Sequence, residues 1–419
     1  MNLRRGVSNS TYAVIGIILI LVVLAGGYVL LAPSKASSST SMSSSTTTTT
    51  STTPIVQGSL TVGTFGLGEK ANVANAGESA LWLAQPGGFY QQQGVNVTLD
   101  ALQSSAVILQ ALESGSINIA DLGTAEAFKT TALGQANFTA VMGVGANDCF
   151  TCLGGFFIIG KSSITNVSEL AGKNVGVSGV GGADQTAAIA VLKALNVTYN
   201  PATAINWVPV STTQARVAGL QQGSLDATVT TAQNLPALDA IPNLTMIVNA
   251  TTFATYEPPA VPGVVVKTSF LQSNYALVQE FVRGLILANR AFASNMSLWL
   301  NLAEAARPDM NSSQLTTLYE GYTDGFAING GINMGRAQLG VNYLYTTTEF
   351  TSENVPVIPA PAFVNTTLVD NVLRQYGVIS AFDVIGRTVS GATTSTTLAM
   401  AILPLQSLAE TPQQVLGKR

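Results

Sequence analysis

Histidine is absent from this chain of 419 residues, and its absence removes several kinds of chemistry. Ser-His-Asp and Cys-His catalysis both need an imidazole base, and zinc sites are built from histidines or from several cysteines. The sequence has two cysteines and no EF-hand calcium loop. We therefore expect a protein that is not an enzyme and that holds neither a metal nor a cofactor.

Charged residues are scarce as well, at 10% of the chain, where about a quarter is usual in a soluble protein. Lys and Arg together number 18 against 22 Asp and Glu, with no basic cluster beyond the N-terminus, which argues against nucleic acid as a partner. One hypothesis for this composition is an acidic habitat, where carboxylates would be neutral and histidines uniformly cationic.

The chain does contain one long apolar run, residues 12–32, which follows Arg4 and Arg5. A helix needs about 20 apolar residues to cross a bilayer, and the two arginines predict that the N-terminal end lies inside. Residues 37–53 are all Ser or Thr except Met42, which is typical of a disordered, often O-glycosylated stalk. We therefore expect a membrane protein with an anchor or signal segment (residues 1–36), a linker (37–56) and its globular part outside the cell.

Two alternatives remain for the processing of this N-terminal segment. A cleaved secretory signal peptide usually has a shorter apolar core, of roughly 7–15 residues. Arg4-Arg5-Gly6 before the apolar run also resembles the prepilin-like signals of some archaeal surface binding proteins, in which cleavage follows the glycine and the helix is retained. Each alternative leaves the rest of the chain outside.

Nine Asn-x-Ser/Thr sequons are spread over the globular part, which predicts a glycosylated surface. Their asparagines are Asn96, Asn137, Asn166, Asn196, Asn243, Asn249, Asn295, Asn311 and Asn365.

Cys149 and Cys152 are separated by two residues. In a reducing compartment this spacing is also found in redox motifs. Outside the cell a local disulfide that fixes a loop is favoured, and so short a loop adds only modest chain-entropy stabilisation.

Strand and helix patterns alternate twice along the chain. Residues 59–65, 95–99 and 117–120 read as strands with helices between them, and the pattern restarts at residues 174–177. After residue 267 the chain becomes mainly helical. This order predicts an α/β fold of two lobes, each with a mostly parallel sheet.

Four stretches resemble a known family: residues 80–97, 109–124, 164–177 and 218–227. In order and spacing, residues 57–295 resemble the extracytoplasmic solute-binding proteins of ABC importers. The branch is the one that takes up nitrate, aliphatic sulfonates, taurine and thiamine-pyrimidine precursors. The resemblance implies a two-lobed, type II periplasmic-binding-protein-like fold. Lobe 1 would comprise residues 57–153 and 258–419, and lobe 2 residues 154–257.

The same resemblance implies a small polar solute in the cleft and an ABC permease with its ATPase as partners. In open α/β sheets, ligands bind where the carboxyl ends of strands meet loops and helix N-termini. The candidate ligand-binding residues on such loops are Phe65, Lys70, Gly123, Thr124, Ser178, Gly181, Gly182, Thr230, Thr231 and Gln233.

Structural roles compete with ligand contact at several of these positions. Thr124 also reads as a helix N-cap, Phe65 as a core residue, and Asp184 either as a cap or as a carboxylate facing the cleft. The family often has an aromatic or acidic residue near positions 230–233, and this chain has neither. The pocket is therefore predicted to be polar and nearly uncharged, which weakens the nitrate and sulfonate assignments.

Two other functions compete with the receptor. One relative of the fold is a thiamine-pyrimidine synthase that consumes an active-site histidine, which this chain lacks. The second alternative is a surface protein without a transport role, such as a sensor, an adhesin or a subunit of a surface assembly.

Overall fold

The structure is a computed structural model. It describes residues 57–66, 70–73, 75–146, 156–210, 212–231, 234–259, 261, 263–322 and 325–398. The predicted anchor, the stalk, Cys149, Cys152 and Gln233 lie outside these residues. Within the described residues, no helix combines the length and the apolar character needed to span a bilayer.

Twelve strands occur in the described residues. They are β1 Gly58–Phe65, β2 Val95–Leu102, β3 Ile119–Asp121, β4 Phe138–Met142, β5 Phe156–Lys161, β6 Asn174–Val177, β7 Asn206–Pro209, β8 Ala227–Thr231, β9 Leu244–Val248, β10 Val264–Lys267, β11 Val378–Ile379 and β12 Thr394–Ser395.

Fifteen α-helices accompany these strands in the same residues. They are α1 Ala76–Leu83, α2 Ser105–Ser114, α3 Ala125–Ala132, α4 Ala183–Ala194, α5 Pro201–Ala204, α6 Thr213–Gln222, α7 Leu235–Asp239, α8 Ala250–Tyr256, α9 Thr268–Ser273, α10 Tyr275–Ser294, α11 Met296–Ala306, α12 Ser312–Tyr322, α13 Met334–Leu344, α14 Thr348–Ser352 and α15 Thr367–Tyr376.

Two five-stranded sheets form the framework, and both have the same topology. The first has the order β2-β1-β3-β10-β4 and the second β7-β6-β8-β5-β9. In the first sheet only β10 runs antiparallel to its neighbours, and in the second only β5 does. The expected parallel sheets are therefore mixed, with one reversed strand in each.

Local signals set the helix boundaries in both halves. Ser104 accepts a hydrogen bond from the backbone N–H of Val107 at the start of α2, and Gly115 ends that helix with φ 81°. Thr212 and Gly223 do the same for α6, with φ 79° at the glycine. Glycine adopts this left-handed conformation without the steric cost of a Cβ atom. A strand follows each of these helices within a few residues.

Arg290, a buried arginine of α10, binds backbone carbonyls in the C-terminal segment, residues 328–377. Arg290 has no solvent exposure, and its guanidinium donates to the carbonyls of Ile328 (2.7 Å), Tyr376 (3.0 Å) and Gly377 (2.7 Å). Gly143, just after β4, donates its N–H to the carbonyl of Gly330 at 2.9 Å. These contacts attach residues 328–377 to α10 and to the end of β4 in the first sheet.

Candidate functional site

The reversed strands determine which edges of the two sheets meet. The chain leaves the first sheet after β4 and enters the second sheet at β5. It leaves the second sheet after β9 and re-enters the first sheet at β10. Because β5 and β10 are antiparallel to their neighbours, each begins at the edge of its sheet where the parallel strands end. Each crossing between the sheets therefore starts and ends at a carboxyl edge. The carboxyl ends of the two sheets therefore face each other, and ligands of open α/β sheets bind at such edges.

The loop after β3 in the first sheet lies against the start of α4, which follows β6 in the second sheet. A Cβ atom on Gly123 would lie 3.0 Å from the Cβ of Ala183 and 3.1 Å from Oγ of Ser105. Ser105 Oγ accepts the N–H of Gly123 at 3.0 Å. Thr124 is buried and occupies the N-cap position of α3, but its hydroxyl donates to the carbonyl of Val261 (3.2 Å) instead of capping that helix.

The glycine loop after β6, residues 178–182, donates most of its hydrogen bonds to side chains in the first turn of α4. The N–H and the hydroxyl of Ser178 both donate to the carboxylate of Asp184, at 2.6 and 2.8 Å. The N–H of Gly181 donates to Oε1 of Gln185 at 2.6 Å, and the N–H of Gly182 donates to the carbonyl of Gly179. The predicted donors of this loop are thus at the carboxyl edge but already have acceptors.

Asp184 acts as a cap for this loop. Besides accepting from Ser178, its carboxylate accepts the N–H of Gln185 at 2.9 Å. Arg216 lies on its other side, with 4.0 Å between Nη1 and Oδ2, and both side chains are buried. The N-cap position of α4 is Gly182, with no side-chain cap, so Asp184 holds the preceding loop instead of capping the helix.

Thr230 and Thr231 end β8 at the same edge. The amide nitrogen Nδ2 of Asn234 donates to both hydroxyl oxygens, at 2.9 and 3.2 Å. Thr230 and Asn234 are buried, and Thr231 is half-buried. Because each hydroxyl accepts from Asn234, each can direct its own hydrogen toward another acceptor.

Phe65 and Lys70 have structural partners. Phe65 packs against the core, and its carbonyl accepts the indole N–H of Trp82 at 3.1 Å. The ammonium of Lys70 pairs with Asp309 at 3.3 Å, and Asp309 also accepts two hydrogen bonds from Arg307 (2.9 and 3.1 Å). Lys70 therefore already has a carboxylate partner in this chain, which it shares with Arg307.

Two carboxyl groups at the first sheet were missed by the sequence analysis. Asp121 ends β3, is buried, and accepts the hydroxyl hydrogen of Thr64 at 2.7 Å. Glu78 lies in the first turn of α1 and accepts from Asn72. Burial and the charge of Asp121 raise the pKa of Glu78, and burial raises that of Asp121. The only sequence signal was the position of each acid beside a strand end or a helix start.

Most sequon asparagines are accessible, and several have a second role. All are exposed except Asn365, which is half-buried. The side-chain carbonyls of Asn166, Asn249, Asn295 and Asn311 accept backbone N–H groups at the starts of helical turns. Helix capping alone therefore gives a reason for asparagine at these positions, and glycosylation stays a prediction.

A surface cavity of about 350 Å³ lies away from these loops. Lys161, Leu220, Ile241 and Asn243 are among its lining residues. They lie at the opposite edge of the second sheet, where β5 ends and β9 begins. Lys161 is paired there with Asp226 at 2.7 Å. None of the predicted ligand-binding residues lines this cavity.

Comparison with known sequences gives one family. Residues 75–292, just over half of the chain, match the family model described as NMT1/THI5 like. No curated protein sequence matches the chain significantly.

Solved structures similar to this chain include solute-binding proteins. The alkanesulfonate-binding protein SsuA from Xanthomonas axonopodis pv. citri, bound to MOPS, has 15% identity and a TM-score of 0.56, with 74% of this chain and 100% of that chain covered. SsuA from Escherichia coli, which binds aliphatic sulphonates, has 15% identity and a TM-score of 0.53, with 72% and 95% covered. The nitrate-binding protein NrtA from Synechocystis PCC 6803 has 12% identity and a TM-score of 0.56, with 76% and 88% covered. These similarities confirm the predicted two-lobed α/β fold.

Proposed function

Because the chain belongs to the NMT1/THI5-like family, we propose that it is the solute-binding protein of an ABC importer. It captures a small polar solute between its two lobes and delivers it to a permease. The solute is bound and released unchanged, so the protein is a receptor and not an enzyme.

The observation that carries this proposal is the pairing of two sheets of equal topology at their carboxyl edges. The Gly123 loop of one lobe lies against Ala183 of the other, so a solute bound at these edges beside this contact would meet both lobes. A ligand that contacts both lobes binds the closed arrangement more tightly than the open one, and this difference in affinity drives closure.

The tether is proposed from the sequence. The apolar residues 12–32 would hold the protein in the cell membrane, and the Ser/Thr-rich residues 37–53 would separate the receptor from the bilayer. Such an arrangement keeps a receptor near its permease and raises their effective concentration. Membrane fractionation of cells that express the full chain, compared with a chain lacking residues 1–36, tests the tether separately.

Thermal unfolding with a panel of solutes tests the receptor. A solute at 100 times its Kd stabilises the folded protein by about 2.7 kcal/mol, which corresponds to a rise in melting temperature of several degrees. The panel contains sugars, amino acids, pyrimidines, amines, sulfonates and nitrate. We expect at least one class to raise the melting temperature in a concentration-dependent way.

A panel with no shift in any class contradicts the receptor and favours the alternative of a surface protein without a transport role. Binding that leaves the radius of gyration in solution scattering unchanged contradicts capture by lobe closure.

A further inference from the structure

A carboxylate from the C-terminal part of the chain reaches the glycine loop of the second lobe. Glu349 belongs to α14, and its Oε2 lies 3.2 Å from where a Cβ atom of Gly181 would be. Gly181 has φ 78°, in the region that favours glycine. Glu349 and Gly181 are 168 positions apart in the sequence, so no local pattern pointed to this contact.

The aromatic side chains around Phe128 fix α14 on the first lobe. The ring of Phe128 in α3 lies 6.0 Å from that of Tyr345, 6.2 Å from that of Phe350 and 5.5 Å from that of Phe363, between ring centroids. Phe350 neighbours Glu349 and is buried. The carboxylate of Glu349 is therefore carried by the first lobe and contacts the second.

Lys129 holds Glu349 in this position. Its ammonium lies 2.8 Å from Oε1 of Glu349, 3.2 Å from Glu353 and 3.4 Å from Glu126. The side chains of Lys129 and Glu349 are 13% and 22% exposed, so solvent screens this pair only partly. One oxygen of Glu349 thus binds the lysine while the other faces the loop.

Negative charge also dominates the group as a whole. Three carboxylates surround a single ammonium, and the proximity of Glu349 together with burial raises the pKa of Glu126 to about 7. A raised pKa of this kind is expected where two carboxyl groups lie close together, because the charged form of one repels the charged form of the other. The lysine therefore does not leave a positive charge for a ligand.

The first lobe carries two further acids, and the predicted donors of the glycine loop on the second lobe already have acceptors. Glu78 and Asp121 lie at the first sheet, and the N–H groups of Ser178 and Gly181 donate to Asp184 and Gln185. An anion at the glycine loop would have to displace these acceptors and would face the carboxylate of Glu349.

We propose that Glu349 determines specificity by excluding anionic solutes from the glycine loop, so that the captured solute is uncharged or cationic. This inference rests on the proposed receptor function. It also separates the chain from the sulfonate- and nitrate-binding proteins that share its fold.

Isothermal titration of the full chain with sodium ethanesulfonate and sodium nitrate, at constant ionic strength, tests the inference. The variants are Glu349→Gln, which keeps the size of the side chain, and Glu113→Gln as the matched control. Glu113 is an exposed residue of α2 and does not belong to the Lys129 group. We expect affinity for the anions to rise at least about tenfold in Glu349→Gln and to stay unchanged in the control, since like charges a few ångströms apart in a partly buried site repel by kcal/mol amounts.

Equal affinities of the two variants for the anions overturn the inference. Tight binding of either anion by the unaltered chain also overturns it. Titration of the unaltered chain with uncharged solutes and amines runs in parallel. If one of these binds, the receptor stands and only the role of Glu349 is in question. If none binds, the receptor itself fails. Circular dichroism melting checks that both variants fold.

Discussion

Gly123 and Ala183 touch across the two lobes, and no larger residue fits at position 123 without a shift. An added Cβ would lie 3.0 Å from the Cβ of Ala183 and 3.1 Å from Oγ of Ser105, both tighter than ordinary van der Waals contact. A methyl group added at position 123 would therefore press on the facing lobe.

Gly123→Ala is expected to weaken solute binding by opening the lobes slightly. Overpacking of this kind costs roughly 1 kcal/mol or more, which corresponds to about fivefold lower affinity. The matched control is Gly179→Ala on the facing loop, where an added Cβ meets nothing within 4 Å. Titration with the solute found by screening measures both. Equal affinities for the two variants would contradict the assigned contact.

Stability is expected to fall as the pH rises from about 4.5 to about 8. Burial raises the pKa of Glu78 to about 8, of Asp121 to about 6, and of Glu126 and Glu257 to about 7, and a neighbouring carboxylate adds to the shift at Glu78 and Glu126. The folded protein then keeps protons that the unfolded chain has already lost, and stability decreases with pH wherever the folded state binds more protons. Asp309 acts oppositely, because Arg307 lowers its pKa to about 2.

Thermal unfolding at a series of pH values, at constant ionic strength, checks this profile. The melting temperature should be highest near pH 4 to 5 and fall toward pH 8, which would agree with the hypothesis of an acidic habitat. Glu257→Gln should flatten the decline, since burial is the cause of its raised pKa. Glu113→Gln, at an exposed position, should leave the profile unchanged. A melting temperature that rises from pH 5 to pH 8 would contradict the account.

Arg290→Met is expected to destabilise the protein by about 3–5 kcal/mol, because it leaves buried carbonyls of Ile328, Tyr376 and Gly377 without their donor. Arg283→Met on the same helix is the control. Arg283 pairs with Glu280 one turn away and is only half-buried, so its loss should cost clearly less than the loss of Arg290. Urea unfolding measures both free energies. Similar losses in the two variants would show that Arg290 does not hold the C-terminal segment.

Asn249 is both a helix cap and the asparagine of a sequon, and two variants separate these roles. Its side-chain carbonyl accepts the N–H of Thr252 at 2.8 Å and caps α8. Asn249→Ala removes both the cap and the sequon and should cost about 1 kcal/mol. Thr251→Ala removes the sequon alone and should lower only the mass, as seen by intact-protein mass spectrometry. If neither variant lowers the mass by more than the substitution itself accounts for, this site carries no glycan.

Much of the fold followed from local patterns in the sequence. The strand over residues 174–177 was predicted with its observed bounds, and the strand over residues 59–65 to within one residue. Capping residues and terminal glycines act within one helical turn, so a sequence displays them directly. The reversed direction of β5 and β10 was not predicted, because strand direction depends on where the chain crosses between lobes.

The site was predicted less completely than the fold. Loops at strand ends could be named in advance, since topology alone places them at one edge. Their hydrogen bonds could not, because Asp184 and Gln185 accept the loop's N–H groups only through the three-dimensional turn. Glu349 and Lys129 are 220 positions apart, and pairing over such a distance leaves no periodic signal.

Native mass spectrometry of the full chain, purified in detergent from its own cells without dialysis, tests the central claim most directly. The account predicts one small solute, uncharged or cationic, retained per chain and lost on mild unfolding, with refolded protein regaining it from solution. A chain that retains no small molecule, and that binds none of the panel after refolding, would contradict the account.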